Sequence, residues 1–130
     1  MYEAITRNIK VAVVPHYIEE QSDPESATYL WAYQVEISNL GDETVQLRDR
    51  FWKIADANGL TEEVSGPGVV GKQPVIEPGE SFTYTSGCPL TTSSGFMMGQ
   101  YTMVNEDGDV FDVEIPAFAL DLPDASRSVH

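Results

Sequence analysis

The sequence predicts one all-β domain, an antiparallel β-sandwich of immunoglobulin or fibronectin type III character with about eight strands. Three observations support this fold class. Short segments alternate apolar and polar residues, which is the periodicity of a half-buried strand. Turn-forming residues separate these segments at intervals of roughly 8 to 14 residues. Sustained helical spacing of apolar residues is absent from the sequence.

The first half of the chain contains four predicted strands. In the clearest of them, Trp31, Tyr33 and Val35 alternate with residues that are mostly polar, so one face belongs to the core and the other is mostly exposed. Asn58 and Gly59 mark a hairpin turn. The predicted strands are residues 6–18, which Pro15 disturbs, 28–38, 44–55 and 60–65.

The apolar pattern of the third predicted strand changes phase. Val45 and Leu47 occupy odd positions. Trp52 and Ile54 occupy even positions. Because side chains alternate between faces, a strand can change phase only with an extra residue, and we expect a β-bulge or bend at about residues 49–51.

The second half of the chain contains four more predicted strands after a long connection. The predicted strands are residues 80–86, 97–105, 110–115 and 118–122, with Pro116 between the last two. Residues 66–79 and 87–95 are predicted loops, because glycine, proline and small polar residues dominate them. The whole pattern predicts a single domain at 1–122 and a flexible tail at 123–130.

The charge balance excludes two classes of partner. Twenty-one acidic residues face seven basic ones, for a formal charge of -14, and Lys and Arg are absent between Gln73 and Ser126. Such a surface repels phosphate backbones and anionic lipids, so the sequence predicts neither nucleic-acid nor membrane binding.

Cysteine usage and hydropathy indicate a cytoplasmic protein. Cys88 is the single cysteine, so it has no internal disulfide partner. The first residues lack the apolar stretch of a signal peptide. Apolar runs elsewhere fall far short of the ~20 residues that span a bilayer.

A glycine-rich segment is the main candidate for a binding loop. Gly66, Gly68 and Gly71 fit G-x-G-x-x-G, and with Lys72 they approach the phosphate-cradling loop of nucleotide hydrolases. Both motifs need a following helix, which Pro74 opposes, and the hydrolase motif also needs Ser or Thr after the lysine. Two interpretations stay open: glycines that permit turns and close packing, or a loop at residues 66–72 that binds a nucleotide or pyrophosphate.

The sequence predicts neither an enzyme nor a cofactor. Motifs of serine, zinc and dithiol chemistry are absent, and the histidines lie far apart, at His16 and His130. Asn105, Asp107 and Asp109 resemble the start of a calcium loop whose later glycine and glutamate are missing, so a hairpin turn is favoured over weak divalent-cation binding.

A second candidate surface combines cations with an aromatic residue beside the predicted bulge. Its members are Arg48, Arg50, Trp52 and Lys53. Arg and Trp are enriched at the energetic centres of protein interfaces, which favours an unidentified protein partner. The alternative is that Trp52 belongs to the core and the cations only offset the excess acid.

Several ordered segments resemble one bacterial family. They are Tyr29-Leu-Trp-Ala-Tyr33, Ile37-Ser-Asn-Leu-Gly41, Val45-Gln-Leu-Arg48, Gly66-Pro-Gly-Val-Val-Gly71, Pro78-Gly-Glu80, Tyr84-Thr-Ser-Gly87, Gly99-Gln-Tyr101 and Ile115-Pro-Ala-Phe118. Together they look like the ApaG family, also called CorD. The match extends over roughly residues 5–122 and departs at Thr92-Ser93, where the family more usually has Thr-Pro.

The resemblance implies a fibronectin type III-like sandwich in the cytoplasm. It also implies association with diadenosine tetraphosphate metabolism and with cobalt and magnesium homeostasis. Related eukaryotic domains imply a role in protein-protein interaction. Catalytic residues are not implied, and the family's glycine motif falls on Gly66, Gly68 and Gly71, with a suggested pyrophosphate role.

Overall fold

The computed structural model describes residues 2–122 and confirms the antiparallel β-sandwich. Within these residues nine strands form two sheets, one more than the roughly eight strands predicted. The strands are β1 (Tyr2–Thr6), β2 (Ile9–Tyr17), β3 (Tyr29–Asn39), β4 (Val45–Asp56), β5 (Thr61–Pro67), β6 (Val75–Ile76), β7 (Ser81–Leu90), β8 (Ser94–Asn105) and β9 (Val110–Asp121). The predicted tail at 123–130 lies outside the described residues.

The two sheets differ in size. The four-stranded sheet has the order β1-β2-β3-β7. The five-stranded sheet has the order β5-β4-β8-β9, and the short β6 pairs with the same edge of β4 beyond the end of β5. Every pairing is antiparallel. β3 and β8 are long strands with a paired neighbour on both sides, one in each sheet, and each contributes to its sheet's inner face.

The core lies between the inner faces of the two sheets. An aromatic group occupies its centre, where the ring centroids of Tyr33 and Trp52 are 5.2 Å apart and each lies 6.0 Å from that of Phe118. Aliphatic side chains from both sheets surround these rings and are almost fully buried. Burial of this set is a major favourable contribution to folding, because apolar burial contributes about 25 cal/mol per Å².

The predicted bulge in β4 is confirmed, one residue before the expected range. Leu47 pairs with Met103, whereas Asp49 pairs with Thr102, so Arg48 is the extra residue. The phase change places Arg50 and Trp52 on the same, inner face of β4. This position of the bulge decides where Arg50 points.

A second bulge corrects the prediction of two short terminal strands. The pairing of β8 with β9 shifts between Met97 and Gly99. There, Met98 of β8 faces two residues of β9, Pro116 and Ala117, so β9 has one extra residue. Proline removes a ladder donor and is tolerated at bulges. β9 therefore continues through Pro116 as one strand, and Phe118 still reaches the core.

Three further boundaries differ from the sequence prediction. The predicted first strand, residues 6–18, is mostly β2, and the strand β1 before it was not predicted; Arg7 and Asn8 adopt positive φ and reverse the chain between them. The predicted loop at 66–79 contains the short β6, and the predicted loop at 87–95 consists mostly of strand. Short 3-10 turns lie in the polar connection between β2 and β3. Within residues 2–122, no helix is long and apolar enough to span a membrane.

Candidate functional site

The glycine loop, residues 66–72, is fastened to the bulged strand β4. The carbonyl of Arg48 accepts hydrogen bonds from the Gly68 N–H, at 2.8 Å, and from Nε2 of Gln73, at 2.9 Å. Nη1 of Arg50 donates to the carbonyls of Pro67 and Gly68, at 3.0 and 2.9 Å. The loop and Gln73 therefore supply hydrogen-bond donors to the carbonyl of the extra residue in the bulge.

Each glycine of the motif has a distinct steric environment. A Cβ on Gly66 would lie 3.3 Å from both Nη atoms of Arg50. A Cβ on Gly68, which has a φ of +65°, would collide with the carbonyl oxygen of Lys72. Gly71, with a φ of +80°, has open space around it and follows Val70 in a tight turn closed by Val69 and Lys72. The glycines therefore meet packing and turn requirements of the loop itself.

The same contacts determine what the glycine loop offers to an anion. The N–H groups of Gly68, Val69 and Lys72 donate within the protein. The Val69 side chain is 1% exposed and enters the core, whereas Lys72 is exposed. Among the described residues, no α-helix follows the loop. A ligand at this loop would meet the Lys72 ammonium and few free backbone donors.

A pocket of about 210 Å³ opens beside the glycine loop, between the edges of the two sheets. We call it the seam pocket; its lining residues are Tyr33, Arg50, Trp52, Val69, Val70, Gly71, Tyr84 and Ser86. Arg50 is its one cation, half-buried on the inner face of β4. The seam pocket therefore combines apolar walls, hydroxyl groups and a guanidinium.

Burial raises the pKa values of the tyrosines in and beside the seam pocket. It raises the pKa of Tyr33, and the Ser86 hydroxyl and the Arg50 guanidinium oppose that shift. The Tyr84 hydroxyl hydrogen-bonds that of Tyr101. Burial raises the pKa of both tyrosines in this pair, so all three phenols are neutral at physiological pH.

The structure separates the cation and aromatic residues that the sequence grouped as one surface. Arg50 and Trp52 point inward, and Trp52 is only 3% exposed, in agreement with the core alternative. Lys53 points outward, and Arg48 lies exposed at the bulge. The four residues therefore do not form one continuous patch.

An apolar patch on the outer face of the five-stranded sheet was missed by sequence reasoning. Phe96 and Met98 of β8 are 54% and 42% exposed, and their cross-strand neighbours on β4 are Ala55 and Lys53. We call this the outer face; its residues are Phe51, Lys53, Ala55, Phe96, Met98 and Ala119. Large apolar residues at two successive outward positions of β8, Phe96 and Met98, out of phase with the buried Met97, are the sequence feature that marks it.

The predicted turn at Asn105 is confirmed, and its polar groups are satisfied within the hairpin of β8 and β9. Oδ1 of Asn105 accepts from the N–H groups of Asp107 and Asp109, at 3.0 and 2.9 Å. Across the described part of the chain, no three His, Cys, Asp or Glu side chains converge as a metal site would require. Cys88 is buried, which raises its pKa to about 11 and keeps the thiol protonated.

Comparison with known proteins places this geometry in a family. The ApaG domain model matches residues 19–105. The Protein ApaG of Brucella anthropi is 57% identical over 130 residues, and that of Brucella abortus is 58% identical over the same length, each covering 100% of both chains. The corresponding protein of Mesorhizobium japonicum is 57% identical over the full length of both chains.

Solved structures agree with the sequence comparison. The crystal structure of an ApaA protein from Bordetella pertussis superposes with a TM-score of 0.87 at 48% identity, covering 88% of this chain and 94% of that one. The C-terminal domain of Wzt shares only the fold, with a TM-score of 0.55 at 9% identity, covering 92% of this chain and 76% of that one. From the domain match and the full-length relatives, the chain belongs to the ApaG family.

Proposed function

We propose that this ApaG-family chain is a non-enzymatic module that binds another protein through the outer face. The observation that carries the proposal is the exposure of Phe96 and Met98 side by side on a central strand of the five-stranded sheet. Grouped exposed apolar side chains on a folded domain are typical of interaction sites. A free, buried Cys88 supports a reducing compartment such as the cytoplasm.

Charge specifies the chemistry of the partner. Glu63 neighbours Lys53 across β5, and Glu114 neighbours Gln100 across β9, so acidic side chains flank the apolar centre. The chain as a whole carries a formal charge of -14. A second copy would be repelled, whereas a partner with an apolar centre and a basic rim would be attracted and oriented.

A paired-substitution experiment tests the outer face. Immobilised protein is compared with the F96K/M98K variant in quantitative capture from a bacterial lysate. The control is L60K/V110K, which also introduces two lysines in place of exposed apolar residues, at positions elsewhere that are 70% and 68% exposed. Urea unfolding establishes that both variants fold.

We expect at least one protein to be captured by the unaltered chain and by the control, and lost with F96K/M98K. That protein, purified, should then bind the unaltered chain in calorimetry, with affinity reduced by about 100-fold or more in F96K/M98K. Equal capture by both variants would show that the outer face is not the binding surface. Nucleotide hydrolysis by the purified chain would contradict the proposal that the module is non-enzymatic.

A further inference from the structure

The seam pocket presents an arginine without an acidic neighbour. Arg50 points inward from β4, and none of the residues that line the pocket is Asp or Glu. The only ion pair among residues 2–122 joins Lys10 to Glu3, at 4.0 Å. The chain has three times as many acidic as basic residues, yet this half-buried guanidinium has no carboxylate partner. An anionic ligand would supply one.

Arg50 is also held in one orientation. Both of its hydrogen bonds to the described residues leave from Nη1, toward the carbonyls of Pro67 and Gly68. Its guanidinium lies against Gly66, where a Cβ would be 3.3 Å from Nη1 and from Nη2. The donors on Nε and Nη2 remain for another acceptor. An arginine fixed in this way loses little conformational freedom when an anion binds.

The walls define the rest of the ligand. Val70 is the exposed apolar side chain of the lining, since Trp52 and Val69 are almost fully buried behind it, and Ser86 contributes a hydroxyl group. A volume of about 210 Å³ is smaller than the 300–1,000 Å³ of usual small-molecule sites. The pocket therefore suits a small ligand with one charged head and a short apolar stem that lies against Val70.

We propose that the seam pocket binds a carboxylate carried on a short apolar stem, with Arg50 as the residue that recognises the carboxylate. The ligand can be a free small molecule or the end of a peptide, since both present the same group. The site lies between the sheets, away from the outer face, and goes beyond the protein-binding function proposed above.

Charge favours a carboxylate over a phosphate. Two parallel N–H donors of one guanidinium match the two oxygens of a carboxylate. A phosphate or pyrophosphate carries more charge and requires more donors, but the N–H groups of Gly68, Val69 and Lys72 are already occupied, which leaves only those of Val70 and Gly71 in this loop. The formal charge of -14 also repels a multivalent anion more strongly than a monovalent one.

Titrations followed by NMR test the site directly. The probes are acetate, benzoate, phosphate and pyrophosphate, together with a short peptide ending in Phe as its free acid and as its amide. We expect benzoate to shift the Arg50 Nε–H signal and the amide signals of Val69 and Gly71, and to bind more tightly than acetate. A shift with the free-acid peptide but not with its amide would assign the ligand to a chain terminus, and a shift with benzoate alone would assign it to a small molecule.

A matched pair of variants at Val70 provides the control. Val70 lines the mouth of the pocket and has a φ of +44°, a conformation that Asp and Asn accept more readily than valine. V70D places a competing carboxylate beside Arg50, whereas V70N has nearly the same shape without the charge. We expect V70D to bind benzoate about tenfold or more weakly than V70N, because the two variants remove the same valine and differ at that position in charge.

Three results would overturn the proposal. The first is an Arg50 Nε–H signal that no carboxylate probe shifts. The second is equal benzoate affinity of V70D and V70N. The third is tighter binding of phosphate or pyrophosphate than of benzoate, which would assign the pocket to phosphate ligands instead.

Discussion

At the scale of single residues, the glycine loop shows how a motif typical of phosphate binding can meet steric and turn requirements of its own loop. Gly68 lies where any side chain would strike the Lys72 carbonyl, and its positive φ adds a backbone penalty. Gly71 has a positive φ as well, but the space around it is empty. Substitution at either glycine would therefore incur the backbone cost of a positive φ, but only substitution at Gly68 would add a steric collision. Measuring the free energy of unfolding of both variants separates the two costs.

We expect G68A to lower the free energy of unfolding by about 3 kcal/mol and G71A by only about 1 kcal/mol. The left-handed backbone costs both variants a similar amount, and only G68A must also displace the Lys72 backbone. Urea unfolding monitored by tryptophan fluorescence measures both values. Equal losses at the two positions would contradict the proposed collision at Gly68.

Sequence reasoning at this scale succeeded where spacing was informative and failed where a strand's phase decided the outcome. Turns and close packing were one of the two interpretations of the glycines, and the contacts of Gly66, Gly68 and Gly71 fit it. The direction of Arg50 could not be predicted, because it depends on a bulge position that the apolar pattern bounds only to several residues. A shift of the bulge to Phe51 would have placed Arg50 on the outer face.

At the scale of strands, the extra residue in β4 keeps two apolar groups on one face. Val45 and Leu47 precede Arg48, and Trp52 follows it, and all three apolar side chains enter the core. Without the extra residue, a continuous ladder would turn Trp52 toward solvent or Leu47 out of the core. The bulge is therefore necessary for the sandwich.

We expect deletion of Arg48 to prevent cooperative folding, because β4 without its extra residue must turn either Leu47 or Trp52 away from the core. The control is one glycine inserted after Asp42, in the exposed connection between β3 and β4, which should cost about 1 kcal/mol or less. Near-ultraviolet circular dichroism and urea unfolding distinguish the outcomes. A deletion variant as stable as the insertion variant would show that β4 changes phase by another route.

The strands that the sequence did not predict correctly share one physical cause. Local turn chemistry is easily recognised when Gly supplies it, as at Asn58 and Gly59. The hairpin between β1 and β2 instead uses Arg7 and Asn8 in positive φ, where arginine is an uncommon choice. Pro116 was expected to end a strand, but a bulge accommodates it within β9. In both places, tertiary pairing overrides the local preference.

At the scale of the whole molecule, a hydrogen bond between Tyr84 of β7 and Tyr101 of β8 links the two sheets through the core. Burial raises the pKa of both phenols, and burial also raises that of the Cys88 thiol to about 11 from an ordinary 9.0. The folded protein therefore retains these protons at pH values where the unfolded chain releases them. The stability that results is complete below about pH 9 and is lost as the pH rises further.

We expect the free energy of unfolding to fall with pH above about 9, first through Cys88 and then through the tyrosine pair. For Cys88, a shift from 9.0 to about 11 corresponds to a loss of about 1 kcal/mol by pH 10. The control C88A should remove the early part of the decline, whereas the Y84F/Y101F variant should flatten only the later part. Urea unfolding at pH 7, 9, 10 and 11 measures these slopes, and parallel curves for all three proteins would show that the decline comes from the growing negative charge of the whole chain instead.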